Sequence, residues 1–453
     1  MLFGGRKATV LLFLGDILVF ALSLWITLLL RYGGLPTREM LALHAGPFFM
    51  LFCLWVFVFY ISGLYGKQVI RFRTELWGAI VRTQVFNIVL AALFFFLTPQ
   101  IGITPKTNLA IYLAVSLVGV CVWRLGIFPR ITVPSRRVGA ALIGSGPEVD
   151  ELFREVNGNP RYPLQFVVRA DAALLARDFA AFTEDVQKHK VSVLIVDADH
   201  DAVRAVLPQI YRLTVRNPHY QFLDFYRVYE EVFDRVPLSL LRYEWFLKNA
   251  SRRGPGAYAL AKRLIDLVGG ALMAVITVLI TPVVALALQL EYPGPVFIVQ
   301  NRIGVRGARI RTYKFRSMRF GDRSAWQGED ENKVTRVGSF LRKTSLDEFP
   351  QCINILRGEI SLIGPRNDLE ALAVRLAEEI PYYNVRYGVK PGITGWAQIN
   401  QRYESGNISP QSVEETKVRL AYDFYYIKHR SLSLDLVIAL KTLKRMLFRV
   451  SSW

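Results

Sequence analysis

Residues 10–30, VLLFLGDILVFALSLWITLLL, form a nearly uninterrupted apolar stretch of about 21 residues. A helix of that length crosses a hydrocarbon core of roughly 30 Å. The stretch is longer than the apolar region of a signal peptide, and no A-x-A cleavage site follows it. It therefore predicts an uncleaved membrane anchor. Asp16 lies inside the stretch at some cost, and either has a function there or faces neighbouring helices or headgroups.

Three further apolar runs, near residues 47–64, 80–97 and 109–127, complete a predicted bundle of four transmembrane helices over residues 1–137. Arg82 and Arg124 lie near the ends of the last two runs, where their side chains are expected to snorkel. By the positive-inside rule, the basic loop residues place both ends of this bundle in the cytoplasm. The cytoplasmic group is Arg6, Lys7, Lys67, Arg71, Arg73, Arg130, Arg136 and Arg137, and the opposite group is Arg31, Arg38 and Lys106.

The composition of the 453-residue chain excludes several classes of protein. Apolar residues make up 52% and charged residues 21%, which excludes a disordered or coiled-coil protein. The net charge of +19 divides into +10 on residues 1–137, −3 on residues 138–250 and +12 on residues 251–453. Because the first basic third is also the most apolar, membrane-flanking charge explains it better than a nucleic-acid partner. The widely spaced cysteines, Cys53, Cys121 and Cys352, indicate packing residues rather than a disulfide framework or a zinc site.

Residues 138–249 have the pattern of a soluble Rossmann-like α/β module. Two short apolar runs read as buried parallel strands, and the first ends in a tight turn that includes Gly144 and Gly146. The turn is similar to the G-x-G-x-x-G fingerprint of dinucleotide sites, with Asp171 near the distance expected of the ribose-binding acid. Val149 occupies the third glycine position. A nucleotide-free or regulatory module is therefore favoured over a cofactor site.

A basic, Gly/Pro-rich linker at 250–262 leads into a fifth apolar run at about 264–290. Its length would allow a full span, but basic residues on both flanks argue that both ends face the cytoplasm. Thr281 and Pro282 lie inside the run, where proline removes an amide donor and bends or breaks a helix. We therefore predict a re-entrant helix-break-helix, with a kinked full span as the alternative.

The last third of the chain carries the candidate catalytic and ligand-binding residues. A strand-like KFRSM segment places Lys314 and Arg316 on one face, which suits a diphosphate or is merely a solvated strand face. Ser345 and Glu348 have the spacing of a capping box, which would make the acids at 347 and 348 first-turn residues of a helix. The alternative is that Asp347 stays ionised near cations, as a carboxylate nucleophile or a Mg²⁺ ligand must.

Three weaker signals follow towards the C-terminus. Arg366 ends a Gly-Pro-Arg turn and is suited to bidentate contact with phosphate, and an aromatic run surrounds Asp423. Leucines at helical spacing beside basic residues predict a C-terminal amphipathic helix that lies on anionic lipid. These residues are Leu436, Leu440, Leu443 and Leu447 with Lys441, Lys444, Arg445 and Arg449.

Taken in order, the motifs from about residue 258 to residue 449 resemble those of the bacterial sugar transferases. These are monotopic phosphoglycosyl transferases that load a sugar phosphate onto a polyprenyl phosphate. The motifs are KRLID at 262–266, PGPVF at 293–297, KFRSM at 314–318, RKTSLDEFPQ at 342–351, SLIGPR at 361–366 and KPGITGWAQIN at 390–400. Two departures are Asn367, where the family has the second proline of Pro-Arg-Pro, and Thr281-Pro282, where it has Ser-Pro. With four spans and a Rossmann-like module before these motifs, the chain looks like the long form that initiates exopolysaccharide or O-antigen repeats.

The resemblance implies a mechanism and assigns roles to residues. Asp347 would be the nucleophile and Glu348 its partner in metal or proton handling, with Mg²⁺ on both and bridging the diphosphate of a UDP-sugar. A covalent sugar-phosphate intermediate on Asp347 would release UMP and then pass to undecaprenyl phosphate. UDP-glucose or UDP-galactose is the donor that the resemblance favours. The implied substrate-binding residues are Lys314, Arg316, Arg342, Arg366 and Asp423, the arginines at 342 and 366 being active-site residues of the family.

The predicted architecture is thus a membrane protein in three parts. Residues 1–137 form the four-helix transmembrane bundle, residues 138–249 the Rossmann-like module, and residues 250–453 a mainly helical α/β monotopic catalytic domain on the cytoplasmic face of the bacterial inner membrane. The oligomeric state stays open, with a homodimer among the alternatives. A membrane-bound NAD-dependent nucleotide-sugar dehydratase or epimerase is the alternative function, since Tyr258 and Lys262 have Tyr-x-x-x-Lys spacing. A non-catalytic scaffold for polysaccharide export is a third.

Overall fold

The computed structural model describes most of the chain, and some sequence predictions fall outside it. The described residues are 5–65, 73–98, 105–132, 137–160, 162–217, 219–249, 256–319, 334–401 and 410–449. The loop residues Lys67, Arg71 and Arg136, and the linker over 250–255, lie outside these ranges. The orientation of the membrane bundle therefore stays a prediction.

The four N-terminal apolar runs are long helices. They are α1 (Gly5–Tyr32), α2 (Arg38–Ile61), α3 (Arg73–Leu97) and α4 (Pro105–Cys121), the last continued by a π-helical turn (Val122–Ile127) and α5 (Phe128–Thr132). With one later helix, five helices in the described part of the chain are long and apolar enough to cross a membrane. An aromatic core that includes Phe20, Phe48 and Trp55 lies between the four N-terminal helices. These features are those of a membrane protein.

Asp16 and Arg124 form a buried ion pair between α1 and the π-helical turn. Arg124 donates from Nε and Nη2 to the two carboxylate oxygens at 3.0 and 2.5 Å, and from Nη1 to the Leu64 carbonyl at 2.7 Å. The prediction that Arg124 snorkels is therefore wrong, because the side chain turns inward to an acid that local sequence could not pair with it. Asp16 faces a neighbouring helix, as one of the two alternatives predicted. The hydrogen-bonded ion pair joins two segments that are distant in sequence.

Residues 138–249 form a Rossmann-like parallel sheet with helices on both faces. Four parallel strands are ordered β2-β1-β3-β4, and separate hydrophobic clusters fill the two faces of the sheet. The elements are β1 (Val138–Ile143), α6 (Pro147–Gly158), β2 (Leu164–Ala170), α7 (Ala172–Arg177), α8 (Phe179–Lys188), β3 (Val193–Val196), α9 (Asp201–Arg216), β4 (Gln221–Asp224), α10 (Phe225–Phe233), a 3₁₀ turn (Leu238–Leu240) and α11 (Tyr243–Asn249).

The turn after β1 is closed by the chain's own residues. The Ser145 hydroxyl donates to Asp171 at 2.8 Å, and the same carboxylate accepts the Ala173 amide at 2.9 Å. Gly146 has a φ of 119°, and a Cβ on it would lie 3.7 Å from the Leu240 side chain. The candidate ribose acid is thus used to hold the turn, and the 3₁₀ turn at 238–240 lies against it. This arrangement favours the nucleotide-free interpretation.

The fifth apolar run is part of one long helix, α12 (Gly256–Glu291). Its 36 residues correspond to about 54 Å. The helix continues through Thr281 and Pro282 without a gap, and the Thr281 hydroxyl donates to the Thr277 carbonyl at 2.6 Å. The expected break is therefore not an interruption of the helix, because loss of one amide donor leaves the flanking hydrogen bonds intact. Re-entry by one membrane face stays a prediction.

The remaining elements build a small mixed domain on α12. They are β5 (Phe297–Ile303), a 3₁₀ turn (Val305–Gly307), β6 (Arg309–Phe315), α13 (Arg336–Thr344), a 3₁₀ helix (Leu346–Gln351), α14 (Cys352–Arg357), β7 (Ser361–Ile363), α15 (Glu370–Glu379), a 3₁₀ helix (Tyr383–Gly388), β8 (Gly392–Thr394), α16 (Trp396–Asn400), α17 (Val413–His429) and α18 (Leu432–Arg449). Strands β5 and β6 pair antiparallel, whereas β7 and β8 pair parallel. Cys352 is buried at the start of α14 and, like Cys53 and Cys121, is a free thiol.

The KRLID segment fastens α12 to this domain. Arg263 donates to the Ile355 carbonyl at 2.7 Å, and Asp266 accepts from the Ser361 hydroxyl at 2.9 Å. Gly269 lies in close contact one turn later, because a Cβ there would come within 2.4 Å of a leucine side chain. The start of the apolar helix is thus held rigidly against α14 and β7.

The Rossmann-like module and the C-terminal domain share one hydrophobic core. Phe246 of α11 packs edge-on against Phe424 of α17, with ring centroids 5.2 Å apart. Glu230 of α10 pairs with Lys428 of α17 at 2.8 Å. The shared core fixes the module against the domain that follows it.

The C-terminal helix α18 is only partly free to lie on lipid. Ile438 and Leu440 are buried against the domain, whereas Leu436 and Leu443 are exposed. The side chains of Lys444, Leu447 and Arg449 lie outside the described residues. Contact of the exposed leucines with a membrane surface stays a prediction.

Candidate active site

The Asp347–Glu348 pair lies on the 3₁₀ helix that follows α13. Ser345 joins the two helices with a left-handed backbone (φ 57°), and its amide bonds back to the carbonyls at the end of α13. Its side chain makes no cap bond. The capping-box interpretation is therefore wrong, because the Ser345 side chain makes no cap bond, although Asp347 and Glu348 do lie in the first turn of the 3₁₀ helix, as that interpretation expected. A non-glycine residue in this conformation costs roughly 1–2 kcal/mol, so tertiary contacts must hold the turn.

Glu348 is buried and held by two cations. Its Oε1 accepts from Lys314 Nζ at 3.1 Å and from Arg366 Nη2 at 2.8 Å. Burial alone would raise the pKa of Glu348, but Arg366 and Lys314 lower it well below its usual range. Glu348 is consequently a fixed negative charge at all physiological pH values.

Asp347 has the opposite electrostatic environment although it directly precedes Glu348 in the chain. Burial and the charge of Glu348 raise the pKa of Asp347 to about 6, against the opposing effect of Lys314, Arg366 and Arg342. Its side chain is half-buried, so it remains accessible. A carboxylate that is ionised at neutral pH but poorly solvated is suited to act as a nucleophile.

Lys314 and Arg316 do not converge on one ligand. Lys314 is buried and faces Glu348, and burial lowers its pKa while Glu348 opposes that effect. Arg316 lies just past the end of β6, where its guanidinium bonds the carbonyls of Tyr292 and Pro293 after α12. Arg316 thus satisfies carbonyl groups that the end of α12 leaves open. Local alternation placed the two side chains together, but the elements that pack on them are different.

Asp423 is buried in an ion-pair cluster rather than exposed to a ligand. Its Oδ2 lies 2.7 Å from Arg386 Nη2, and Arg386 also bonds Asp368. Arg419 pairs with Asp368 at 2.9 Å. Burial raises the pKa of Asp423, opposed by Arg386 and Arg419, whereas those arginines lower the pKa of the equally buried Asp368 to about 2. Asp368, Arg386 and Arg419 were not identified from the sequence.

Arg302 is a further residue that the sequence reasoning missed. Its Nη1 donates to the Asn367 carbonyl at 2.6 Å and to the Asn367 side-chain oxygen at 3.2 Å. Ile298 of β5 pairs with Lys314 of β6. Arg302 lies four residues after Ile298 on β5 and therefore on the same face of that strand. Alternation along β5 could have identified it. Asn367, where the family has proline, is thus held by hydrogen bonds.

The structure therefore brings together five of the predicted residues. Asp347, Glu348, Lys314 and Arg366 form one charged group, and Arg342, half-exposed in the last turn of α13, acts on Asp347 through its charge. Arg316 and Asp423 lie apart from it in structural roles. An excess of cations around two carboxylates suits a polyanionic ligand such as a diphosphate.

A divalent cation fits this charged group only if the substrate supplies most of its ligands. In the described part of the chain no cluster of three or more His, Cys, Asp or Glu side chains could hold a metal ion. Mg²⁺ is commonly held by one or two carboxylates with the remaining ligands from substrate phosphates and water. The half-buried Asp347 meets that requirement, whereas Oε1 of Glu348 already contacts Lys314 and Arg366. The donor set fits an ion carried mainly by the substrate's oxygens.

The Tyr-x-x-x-Lys pair of the alternative enzyme class is used elsewhere. The Tyr258 hydroxyl donates to Asp435 at 3.0 Å, and Lys262 pairs with the same carboxylate at 2.8 Å. Asp435 lies on α18, so the pair joins α12 to the C-terminal helix. A dehydratase would need both side chains open beside a bound nicotinamide.

Comparison with known proteins identifies the family. The family model described as "Bacterial sugar transferase" matches residues 257–449. A UDP-glucose:undecaprenyl-phosphate glucose-1-phosphate transferase of Caulobacter vibrioides is 39% identical over 194 residues, which are 42% of this chain and 71% of that protein. The chain belongs to the bacterial sugar transferase family.

Two other relatives of this sugar transferase are longer than the matched region. A UDP-N-acetylgalactosamine-undecaprenyl-phosphate N-acetylgalactosaminephosphotransferase of Aeromonas hydrophila is 41% identical over 199 residues, 42% of this chain and 44% of that protein. A UDP-glucose:undecaprenyl-phosphate glucose-1-phosphate transferase of Escherichia coli is 42% identical over 194 residues, 41% of this chain and 40% of that protein. The matched region thus spans less than half the length of these two relatives. The family-model match over residues 257–449 contains the whole charged group around Asp347.

Proposed function

We propose that this sugar transferase moves a hexose-1-phosphate from a UDP-sugar to undecaprenyl phosphate, giving undecaprenyl-diphosphate-sugar and UMP. The observation that carries the proposal is the pairing of two adjacent carboxylates with opposite environments, Asp347 accessible and Glu348 locked between Lys314 and Arg366. The curated relatives are named for transfer from UDP-glucose and UDP-N-acetylgalactosamine to the same lipid. UDP-glucose or UDP-galactose is the proposed donor.

The proposed chemistry has two displacements at one phosphorus atom. A carboxylate oxygen of Asp347 attacks the sugar-linked phosphorus, the bond from that phosphorus to the bridging oxygen breaks, and UMP leaves. A phosphate oxygen of undecaprenyl phosphate then attacks the same phosphorus and releases Asp347 as a carboxylate. Glu348 holds Lys314 and Arg366 in place, and the arginines at 342 and 366 face the developing charge.

Mg²⁺ is the proposed cofactor; Asp347 would hold it, and Glu348 would contribute only through the carboxylate oxygen that does not contact Lys314 and Arg366. When bound it would neutralise charge on the diphosphate oxygens and on the leaving UMP. The residues of the chain bind and orient the donor, and Asp347 supplies the nucleophile.

The proposed location is the bacterial inner membrane, with the active site on the cytoplasmic face. The exposed apolar side chains of α12 and the exposed leucines of α18 would hold the domain at the headgroup layer. The lipid phosphate lies in that layer, whereas the UDP-sugar arrives from water. The product would start an exopolysaccharide or O-antigen repeat.

The test uses the full-length protein in nanodiscs with Mg²⁺, undecaprenyl phosphate and a panel of UDP-sugars. We expect release of UMP, not UDP, with one preferred hexose. Without the lipid, a donor labelled in its sugar-linked phosphate should label the protein, and Asp347→Asn should abolish both signals. Asp171→Asn, the same substitution in the Rossmann-like module, is the matched control and should retain activity. Release of UDP, or full activity of Asp347→Asn, would contradict the proposal.

A further inference from the structure

Arg386 is a fully buried arginine at the centre of a four-charge cluster. Its Nη2 lies 2.7 Å from Asp423 Oδ2, and its Nη1 bonds Asp368 and, at 2.9 Å, the Tyr383 hydroxyl. Arg419 pairs with the other oxygen of Asp368 at 2.9 Å. Two arginines and two aspartates thus balance their charges away from water, as buried ions require.

The cluster also reaches the backbone of the active-site loop. Arg386 Nη2 donates to the Arg366 carbonyl at 2.7 Å. The side chain of the same Arg366 donates to Glu348 at 2.8 Å. A continuous series of contacts therefore runs from Asp423 through Arg386 to Arg366 and Glu348.

Three consecutive residues of this loop are held from outside. Arg386 holds the Arg366 carbonyl, Arg302 holds Asn367, and Asp368 is the carboxylate of the cluster. A loop that is held at three successive residues has less conformational freedom than a loop held by backbone contacts alone. The planar guanidinium of Arg386 contacts two carboxylates and one carbonyl from two nitrogens in a fixed geometry, whereas a lysine would have to reach all three from a single nitrogen.

We propose that Arg386 is the positioning residue that sets the Arg366 guanidinium against Glu348, with Asp423 as its counter-ion. The inference rests on the proposed function, since Arg366 matters only if its group performs chemistry. Arg386 is fully buried, so it acts through Arg366 rather than by contact with a ligand. Asp423, which the sequence analysis predicted to bind substrate, acts on the reaction through Arg386.

The test compares Arg386→Gln with Arg419→Gln in the full-length protein. Both variants remove one arginine from Asp368 and one donor to Tyr383, so both should lower thermal stability. Only Arg386→Gln removes the bond to the Arg366 carbonyl. We expect Arg386→Gln to lower kcat for UMP release by about 10- to 100-fold per folded molecule, and Arg419→Gln by less than about 3-fold.

A double-mutant cycle distinguishes positioning from general destabilisation. In an Arg366→Ala background, Arg386→Gln should cause little further loss of kcat, because the group that it positions is gone. If the two losses multiply, or if Arg419→Gln is as damaging as Arg386→Gln, the proposal is overturned. Asp423→Asn is the second variant, since it keeps the side-chain volume and leaves Arg386 paired with Asp368. It should give a smaller loss that is also absent in the Arg366→Ala background.

Hydrogen exchange tests the positioning separately from activity. Peptides that cover residues 363–369 should exchange faster in Arg386→Gln than in Arg419→Gln or in the wild type. Equal exchange in both variants would refute the positioning role even if the wild type is active. If the wild type releases no UMP but Arg386→Gln still exchanges faster than the wild type, the positioning role is supported and the proposed function is contradicted.

Discussion

Replacing Asp347 by asparagine should make the protein more stable at pH 8, although it removes the proposed nucleophile. The folded protein raises the pKa of Asp347 from 3.8 to about 6, so the ionised form is disfavoured by folding. A shift of about two pKa units corresponds to roughly 3 kcal/mol, and access to solvent reduces this to about 1–2 kcal/mol. Asparagine has nearly the same shape and carries no charge to desolvate.

The sign of the effect depends on pH. Above pH 6 Asp347 is ionised in both the folded and the unfolded chain, and the folded protein carries the full cost. Below pH 3.8 both forms are protonated and the cost disappears. The stabilisation by Asp347→Asn should therefore be complete near pH 8 and fade as the pH falls through 6 towards 4.

Glu348→Gln is the matched control, because it changes the neighbouring acid in the same way. The pKa of Glu348 is lowered in the folded protein, so its charge stabilises the fold above its ordinary pKa of 4.5. The substitution also leaves Lys314 buried without its carboxylate partner, which costs about 3–5 kcal/mol. Glu348→Gln should therefore lower the melting temperature throughout pH 5–8.

The assay is thermal unfolding of the wild type and both variants in one detergent, at one scan rate, without divalent cations, from pH 5 to pH 8. We expect Asp347→Asn to raise the apparent melting temperature by about 1–3 °C at pH 8 and by much less at pH 5. Glu348→Gln should lower it at both pH values. Shifts in the same direction for both variants, or a pH-independent shift for Asp347→Asn, would refute the electrostatic assignment of the pair.

Three other predictions follow from contacts in the C-terminal domain. Lys314→Met should lower kcat for UMP release by about 10- to 100-fold while the protein stays folded, because Glu348 loses one of its two cations; near-normal turnover would contradict this. Arg316→Met should lower the melting temperature and leave KM for the UDP-sugar unchanged, since the side chain bonds carbonyls after α12; a large rise in KM would instead indicate substrate contact. Gly269→Leu should reduce the yield of folded protein, because even a Cβ there comes within 2.4 Å of Leu362, and Gly269→Ala should be milder; a normal melting curve for the leucine variant would show that α12 can shift.

The parts of the fold that follow from length and periodicity were predictable. The apolar runs and the parallel sheet are local patterns, and the helices and strands lie close to the expected positions. The continuity of α12 through Pro282 was not predictable. Whether a proline bends or breaks a helix depends on what packs around it, which the local sequence does not contain.

The active site was predictable where the chemistry lies in one motif, and not where it depends on distant partners. Asp347 and Glu348 adjoin in sequence, but their pKa values shift in opposite directions. Arg366 and Lys314, which come from other elements, lower the pKa of Glu348, whereas burial and the charge of Glu348 raise the pKa of Asp347. The sequence also does not show which acids are buried. In the sequence Asp423 cannot be distinguished from an exposed acid, yet it is a buried counter-ion in the folded protein.

The shared core between the Rossmann-like module and the transferase domain has a consequence for truncation of the chain. Because Phe246 and Trp245 supply part of the interior around Phe424, deleting the module would leave an apolar scar on the domain. The transferase domain on its own would therefore expose an apolar surface beside α17, which favours aggregation, so the two parts are expected to be stable and soluble only as one chain.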